Sequence, residues 1–542
     1  MVIRNIPVLK IVTVMLAMIV LMPLLIVFSG WMHAGNEVWQ HLAQTVLADL
    51  LKNTAWLLLG VGIGVTILGV GLAWLTTRCE FPGRRFFDWA LMLPLAVPAY
   101  VMAFVALGLL DFTGPVQTTL REMLGRSNVW FPEVRSTGGV ITVMTLVLYP
   151  YVYMLARSSF ITQGNSTVEA ARSLGLSAWA AFFQISIPTA RPAIIAGLSL
   201  ALMETLADFG TVAIFNYDTF TTAIYKAWFG LFNLQAASQL ASFLLILVVI
   251  ALTAERQLRG KAKYHEATRS TNVYRYHLTG WHRWGTLFIT STILLLAFIV
   301  PVIQLSIWAW GALSEDMDKR YISLLLHTLM LGGMAASLTV ISAMILAFTR
   351  RTHNDFVVRT SVNIATLGYA LPGSVLAVGI MLTFTSLDNV LATIATLFGW
   401  QPPGQILTGS VFALVMAYVV RFLAVAYGPI ESGLGRIRIS IAEAARGLGD
   451  SPMATLWRVY LPLLRPGLFT AALLVFVDVM KEMPATMLLR PFGWDTLAVR
   501  IYEMTSEGEW ERAALPAISL ILVGLIPVIV LVKRSAKYQG RN

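Results

Sequence analysis

EAARSLGLSAWAAFFQISIP, residues 169–188, and EAARGLGDSPMATLWRVYLP, residues 443–462, are one pattern written twice, 274 positions apart (443 minus 169). Glu169, Ala170, Ala171, Gly175, Ile185, Ile187 and Pro188 in the first copy correspond to Glu443, Ala444, Ala445, Gly449, Val459, Leu461 and Pro462 in the second. Each copy lies in a polar stretch between long apolar runs, which marks a loop where a membrane protein meets a soluble partner. Glu-Ala-Ala-Arg opens with strong helix formers and places its acid in an early turn, where the helix dipole favours negative charge. Gly175 and Gly449 can take a positive φ that stops this helix and turns the chain. A second amphipathic stretch follows, with Trp179, Phe182 and Phe183 in one copy and Leu456 and Trp457 in the other. Pro188 and Pro462 are expected to end it before the next span. The expectation is a short helix-turn-helix against the cytoplasmic membrane surface, present twice.

Composition places the rest of the chain in a bilayer. Hydrophobic residues make up 57% and charged residues 12% of 542, where a soluble domain carries about a quarter charged. The charges cluster between apolar runs of the roughly 20 residues that one crossing needs. Only helices or closed barrels satisfy the backbone in lipid, and these runs are too long and continuous for barrel strands. The expected fold is therefore all-α, with twelve spans near 8–28, 54–77, 89–110, 138–160, 192–213, 235–253, 284–310, 325–348, 362–385, 407–430, 466–487 and 513–532. The first has a basic start (Arg4, Lys10), but its run is long and no small-x-small cleavage site follows, so it reads as an anchor.

Charge placement gives the orientation. With the N-terminus inside, most of the 39 Lys and Arg residues fall in cytoplasmic segments, and the positive-inside rule puts both termini in the cytoplasm. The same bias accounts for the formal charge of +11 without a nucleic-acid partner, because the basic residues are scattered among short loops. The single cysteine, Cys79, excludes a disulfide framework and a cysteine-based zinc site.

The 274-residue offset extends past the loops. Asn53-Thr54 matches His327-Thr328, Val97-Pro98-Ala99 matches Leu371-Pro372-Gly373, Glu204 matches Asp478, and Asp208 matches Glu482. The register is expected to slip between about 110 and 165 and then recover. Six spans per half is an even number, so both halves enter with the same polarity, as parallel repeats do. The expected organisation is a first half at 1–253, a basic cytoplasmic linker at 254–283 and a second half at 284–542.

Four carboxylates fall within expected spans: Glu204 and Asp208 in the fifth, Asp478 and Glu482 in the eleventh. Each pair is spaced i, i+4 and would share one helix face. Ionisable groups at membrane depth cost about 2.5–3.5 kcal/mol each and usually face an interior or aqueous path. One reading is a negatively biased path for a hard cation. The other is internal pairing, with Lys481 or Arg421 as partners. Pro94, Pro98 and Pro372 are expected to interrupt their helices. No Cys or His cluster suggests a metal cage; His33, His41 and His327 are scattered near expected external edges. The acidic stretch 506–511, with Asp495 and Glu503 nearby, is a candidate external docking surface.

With these residues in place, the chain resembles the permease subunits of binding-protein-dependent ATP-binding cassette (ABC) importers, whose "EAA loop" the two segments match. The words LMETLADFGTVAIFNYDTFTTAIYKAWFG (202–230) and VDVMKEMPATMLLRPFGWDTLAVRIYEMTSEGEWERAALPA (477–517) look like the ferric-iron branch of fused permeases. The resemblance implies a type I importer permease of MetI-like fold in a bacterial inner membrane. It implies two ATP-binding cassette subunits docked on the loops, a periplasmic binding protein that delivers ferric iron, and alternating access. No G-x-x-x-x-G-K-[ST] phosphate loop occurs, so this chain is expected to be no enzyme, to bind no cofactor, and to draw on ATP used by its partners. A thiamine or other small-cation permease is the alternative within the class, and an ion-coupled secondary transporter the alternative outside it.

Overall fold

The computed structural model describes residues 7–32, 37–126, 129–162, 175, 177–259, 275–353, 355–402 and 404–539. Twelve helices among them are long and apolar enough to cross a membrane, as the sequence predicts. In chain order, α1 is Val8–Trp31, α2 Leu47–Arg78, α3 Ala99–Leu124, α4 Thr137–Thr162, α5 Phe182–Ala207 and α6 Leu234–Glu255. Then follow α7 Gly280–Ser314, α8 Lys319–Thr352, α9 Gly373–Leu397, α10 Val411–Arg436, α11 Leu456–Lys481 and α12 Trp510–Val530.

The internal repeat is visible in the element boundaries themselves. Helix Ile187–Ala207 recurs as Leu461–Lys481 and the wide turn Phe182–Ser186 as Leu456–Tyr460, each shifted by 274. α4 and α10 keep the same offset, so the register does not slip as far as 165. α3 and α9 also start 274 apart, at Ala99 and Gly373, and the difference between the repeats there is a turn at 111–114 where α9 is unbroken. Side-chain identities in α4 and α10 have diverged, which hides the match in sequence while the helix ends preserve it.

The prolines expected to interrupt helices instead begin them. Pro98 and Pro372 hold extended backbone (ψ 144° and 138°) immediately before the helices that open at Ala99 and Gly373. Pro94 lies in the one-turn 3-10 helix Leu93–Ala96. A fixed φ and a missing N–H cost nothing at a helix start.

The chain packs as two compact units that cut across the sequence halves 1–253 and 284–542. One unit takes Met1–His41, Ala223–Leu245 and Met317–Arg500, so α1 joins α8–α11. Its core includes Ala17 and Val20 of α1 with Leu376, Ile380, Tyr418 and Leu423 of α9 and α10. The reason lies in local chemistry. α1 ends in a 3-10 turn, Val27–Trp31, whose carbonyls need donors that lipid cannot supply. Ser238 Oγ donates to the Val27 carbonyl at 2.5 Å, and Gln235 and Gln239 amides donate to Gly30 at 3.2 and 3.1 Å. Gly379 lets α9 approach the Pro23 carbonyl so closely that a Cβ would sit 2.2 Å from it.

The other unit takes Leu42–Thr222, Ile246–Asp316 and Ile501–Asn542, so α2–α5 are joined by α7 and α12. Phe104 of α3 stacks on Trp308 and on Trp510, at 6.4 Å between ring centres in each case. Arg512 of α12 binds Asp316 at 2.7 Å and Glu509 at 2.8 Å. At the other end of α2, Cys79–Glu80 pairs in parallel with Tyr276–His277, which ties the described end of the 254–283 linker to this unit.

Candidate functional sites: two glycine turns and two helix-ending carboxylates

The second loop is described throughout. Helix Ile439–Gly447 carries Glu443 and Ala444 on its exposed side. It stops where Gly449 takes φ +96°, and the Asp450 N–H donates to the Ala445 carbonyl at 3.1 Å. That bond is the six-to-one closure of a left-handed helix cap. A Cβ on Gly449 would meet nothing within 4 Å, so glycine is required here by backbone conformation and not by space. The next helix starts on Ser451, whose Oγ accepts from the Ala454 N–H at 3.1 Å. Leu448 (90% exposed) and Trp457 (63%) stand out from the turn.

In the first loop, Glu169, Ala170 and Ala171 lie outside the described residues. Gly175 is described and has φ +91°, again with open space where its Cβ would be. Ser177 caps the following helix by accepting from the Ala180 N–H at 3.2 Å. Ser177 and Ser451 were not singled out from sequence, although Gly-x-Ser recurs at the 274 offset. A serine two residues after a helix-ending glycine is the signal for a turn that stops one helix and caps another.

Pro188 and Pro462 do not end the second helix. It runs on through a π turn: the Ile187 N–H reaches the Phe182 carbonyl, and the Leu461 N–H reaches that of Leu456. Bonding to the fifth residue back widens the turn just where a proline ring would otherwise strike a carbonyl. Each glycine turn is thereby joined to one continuous rod, Ala178–Ala207 in one copy and Pro452–Lys481 in the other.

Each rod ends on a carboxylate, which alters the i, i+4 reading. Asp208 and Glu482 do not share a helical face with Glu204 and Asp478, because both have left the helix (ψ 132° and 111°). Asp208 instead accepts from Thr211 Oγ1 at 2.9 Å and from the Val212 N–H at 3.1 Å, capping the short helix Gly210–Ile214. Glu482 accepts from the Ala485 N–H at 3.1 Å and caps Pro484–Leu489. The repeat equivalents thus do the same local work: they stop a long helix and start a short one. Glu204 and Asp478 remain on their helices, half-buried.

The surroundings of the two caps differ. Glu482 Oε2 pairs with Arg421 Nε at 3.3 Å, both side chains nearly inaccessible. This realises the internal-pairing reading for Glu482. A Cβ on Gly373 would fall 2.4 Å from both Arg421 Nη1 and Glu482 Oε1, so glycine is demanded by space at this helix start. Position 147, the counterpart of 421, is valine. The Asp208 carbonyl is held by Thr221 Oγ1 at 2.7 Å.

Among the described residues, no three His, Cys, Asp or Glu side chains converge as metal ligands. His327 stacks on Trp494 with ring centres 4.8 Å apart, and His33 lies outside the described residues. Within the acidic stretch near 506–511, Glu509 is committed to Arg512, and nearby Asp495 pairs with Arg490.

The profile of the family "binding-protein-dependent transport system inner membrane component" matches residues 66–255 and again 339–541, one copy per repeat. The chain is 29% identical over 496 residues to the Fe(3+)-transport system permease protein FbpB 2 of Haemophilus influenzae, covering 91% of each. It is 24% identical over 534 residues to the ferric transport system permease protein FbpB of Actinobacillus pleuropneumoniae, covering 93% of this chain and 73% of that one. The molybdenum transport system permease protein ModB of Escherichia coli is 28% identical over 183 residues, 33% of this chain and 78% of its own.

Proposed function

Because the chain belongs to the binding-protein-dependent transport system inner membrane components, a family of multi-pass inner membrane proteins, we propose that it carries ferric iron inward. Iron arrives on a periplasmic binding protein and crosses between states opened in turn to either side. The energy comes from two separate ATP-hydrolysing subunits, one seated on each glycine turn, and both termini lie in the cytoplasm. The observation that carries the iron assignment is the match to ferric permeases across 91% of both chains.

The geometry supports the coupling. A docked subunit that moves the turn at Gly449 pushes on a rod of 30 residues, Pro452–Lys481, about 45 Å long at 1.5 Å per residue. The π turn keeps that rod helical past Pro462, so displacement at the turn is passed along it toward Glu482. At Glu482 the chain breaks, caps a new helix and holds Arg421, so this is where rod movement is converted into rearrangement. Asp208 ends the first rod in the same way.

The test is uptake of radioactive ferric iron into proteoliposomes that hold this chain with its ATPase subunit and receive iron-loaded binding protein. ATP-dependent accumulation of iron, with none of thiamine, is expected. Thiamine uptake, or iron uptake driven by a proton gradient without ATP, would overturn the proposal.

A further inference from the structure

At one membrane boundary, two short segments carry four arginines and four exposed aromatic residues. α2 ends at Arg78 and α7 begins at Gly280, and the strand pair Cys79–Glu80 and Tyr276–His277 ties those two ends together. Two spans therefore stop at one level, and what surrounds the strand pair lies where hydrocarbon gives way to water. The helix Arg84–Ala90 follows directly.

Among the described residues at this level, basic side chains outnumber acidic ones. Arg84 and Arg275 share a single carboxylate, Glu80, at 3.1 and 3.8 Å. Asp88, also nearby, is committed to Arg157, whose Nε and Nη2 reach it at 2.6 and 2.5 Å. Arg85 and Arg283 are exposed. Desolvation first, and then the neighbouring charge of Arg84, hold the Arg275 guanidinium below its ordinary pKa.

Exposed aromatic residues alternate with the arginines along both segments. Trp281 is 90% exposed and Trp284 is 60% exposed, with Arg283 over the Trp284 ring at 5.7 Å. Phe86 and Trp89, also exposed, pack edge to face at 5.3 Å. Tryptophan rings settle at headgroup depth, and clustered basic side chains there attract anionic lipids at about 1 kcal/mol each.

We infer that this junction is a binding site for an anionic phospholipid: the phosphate lies among Arg84, Arg85, Arg275 and Arg283, and the rings of Trp281, Trp284, Phe86 and Trp89 face its glycerol and acyl chains. The lipid supplies the negative charge that the cluster lacks. It also holds the end of the 254–283 linker against the membrane beside α2.

Native mass spectrometry of the purified full chain, titrated with phosphatidylglycerol or phosphatidylcholine, tests the site. Wild type is expected to retain phosphatidylglycerol selectively. An Arg85→Gln, Arg275→Gln, Arg283→Gln variant should lose it by about tenfold or more, with phosphatidylcholine retention unchanged. The Arg85→Gln, Arg283→Gln pair alters only exposed side chains and should show a smaller loss in the same direction, even if the triple change disturbs the strand pair. Arg126→Gln, far along the chain in another exposed loop, should behave as wild type. Unchanged phosphatidylglycerol retention in the double variant, equal retention of both lipids by wild type, or displacement of the lipid by millimolar inorganic phosphate would each overturn the inference.

Discussion

Arg421 and Glu482 form a nearly inaccessible ion pair, 3.3 Å between Nε and Oε2, at the point where α11 breaks. Glu482 is at once the partner of a buried cation, the cap of the following helix through Ala485, and a carbonyl acceptor for Thr486 Oγ1 at 2.5 Å. Thr486 Oγ1 in turn meets Tyr418 Oη at 2.6 Å. The break is thus fixed by a connected polar group inside an apolar unit. Arg421→Gln leaves a buried carboxylate without its cation, and such a loss costs on the order of 3–5 kcal/mol. A clear fall in melting temperature is expected, while Arg421→Leu with Glu482→Leu should recover part of it. If the single variant melts like wild type, the pair does not hold the break.

The glycine turns should respond to conformation and not to bulk. Alanine at Gly449 or Gly175 has room for its Cβ but must adopt a left-handed backbone at about 1–2 kcal/mol. Ser177→Ala and Ser451→Ala should each remove a cap worth about 1 kcal/mol. Hydrogen exchange is expected to rise locally in 439–460 for the Gly449 and Ser451 changes, with α10 protection unchanged. Loss of protection throughout the unit would show that the turn is part of the core and not a separable lever.

Gly379 predicts how α1 is held. A side chain there must displace the Pro23 carbonyl, which would lie 2.2 Å from its Cβ. Gly379→Val should therefore cost about 1–3 kcal/mol, as overpacking does, and loosen α1 first. Faster proteolysis within residues 1–41, ahead of any cleavage in α8–α11, is the expected outcome. Uniform susceptibility along the chain would contradict the placement of α1 in that unit.

Cys79 is buried in the strand beside the α2 terminus, and burial pushes its thiol up to about 11. The reactive species is the thiolate. At pH 8 about one molecule in a thousand carries it, and the fraction rises about tenfold per pH unit until pH 11. Iodoacetamide labelling of the folded chain should be slow at pH 8 and climb steeply with pH, whereas urea-unfolded chain should label readily already at pH 8. Fast labelling of folded protein at pH 8 would show the strand pair to be open.

Sequence reading reached the twelve spans and the repeat because both rest on long-range pattern: apolar length and a constant offset. It reached Gly175 and Gly449 because a positive φ leaves a residue-type signature. It did not reach the fate of Pro188 and Pro462, since a proline marks a missing N–H but not the π turn that accommodates it. The assignment of α1 to the later helices was equally hidden. Nothing in its apolar run shows that its final 3-10 turn takes its donors from Gln235, Ser238 and Gln239. The acids were found, but i, i+4 spacing assumes a helix that Asp208 and Glu482 themselves terminate.

That the turns at Gly175 and Gly449 each seat one ATP-hydrolysing subunit is open to direct test. Ser177→Cys and Ser451→Cys, introduced singly in a Cys79→Ala background, test it by site-directed crosslinking to the co-expressed subunit. Both positions are exposed and occupy equivalent places after the glycines. A nucleotide-sensitive crosslink is expected from each, and two subunits per chain when both are present. Crosslinking from only one turn, or from neither while the complex stays assembled and active, would contradict it.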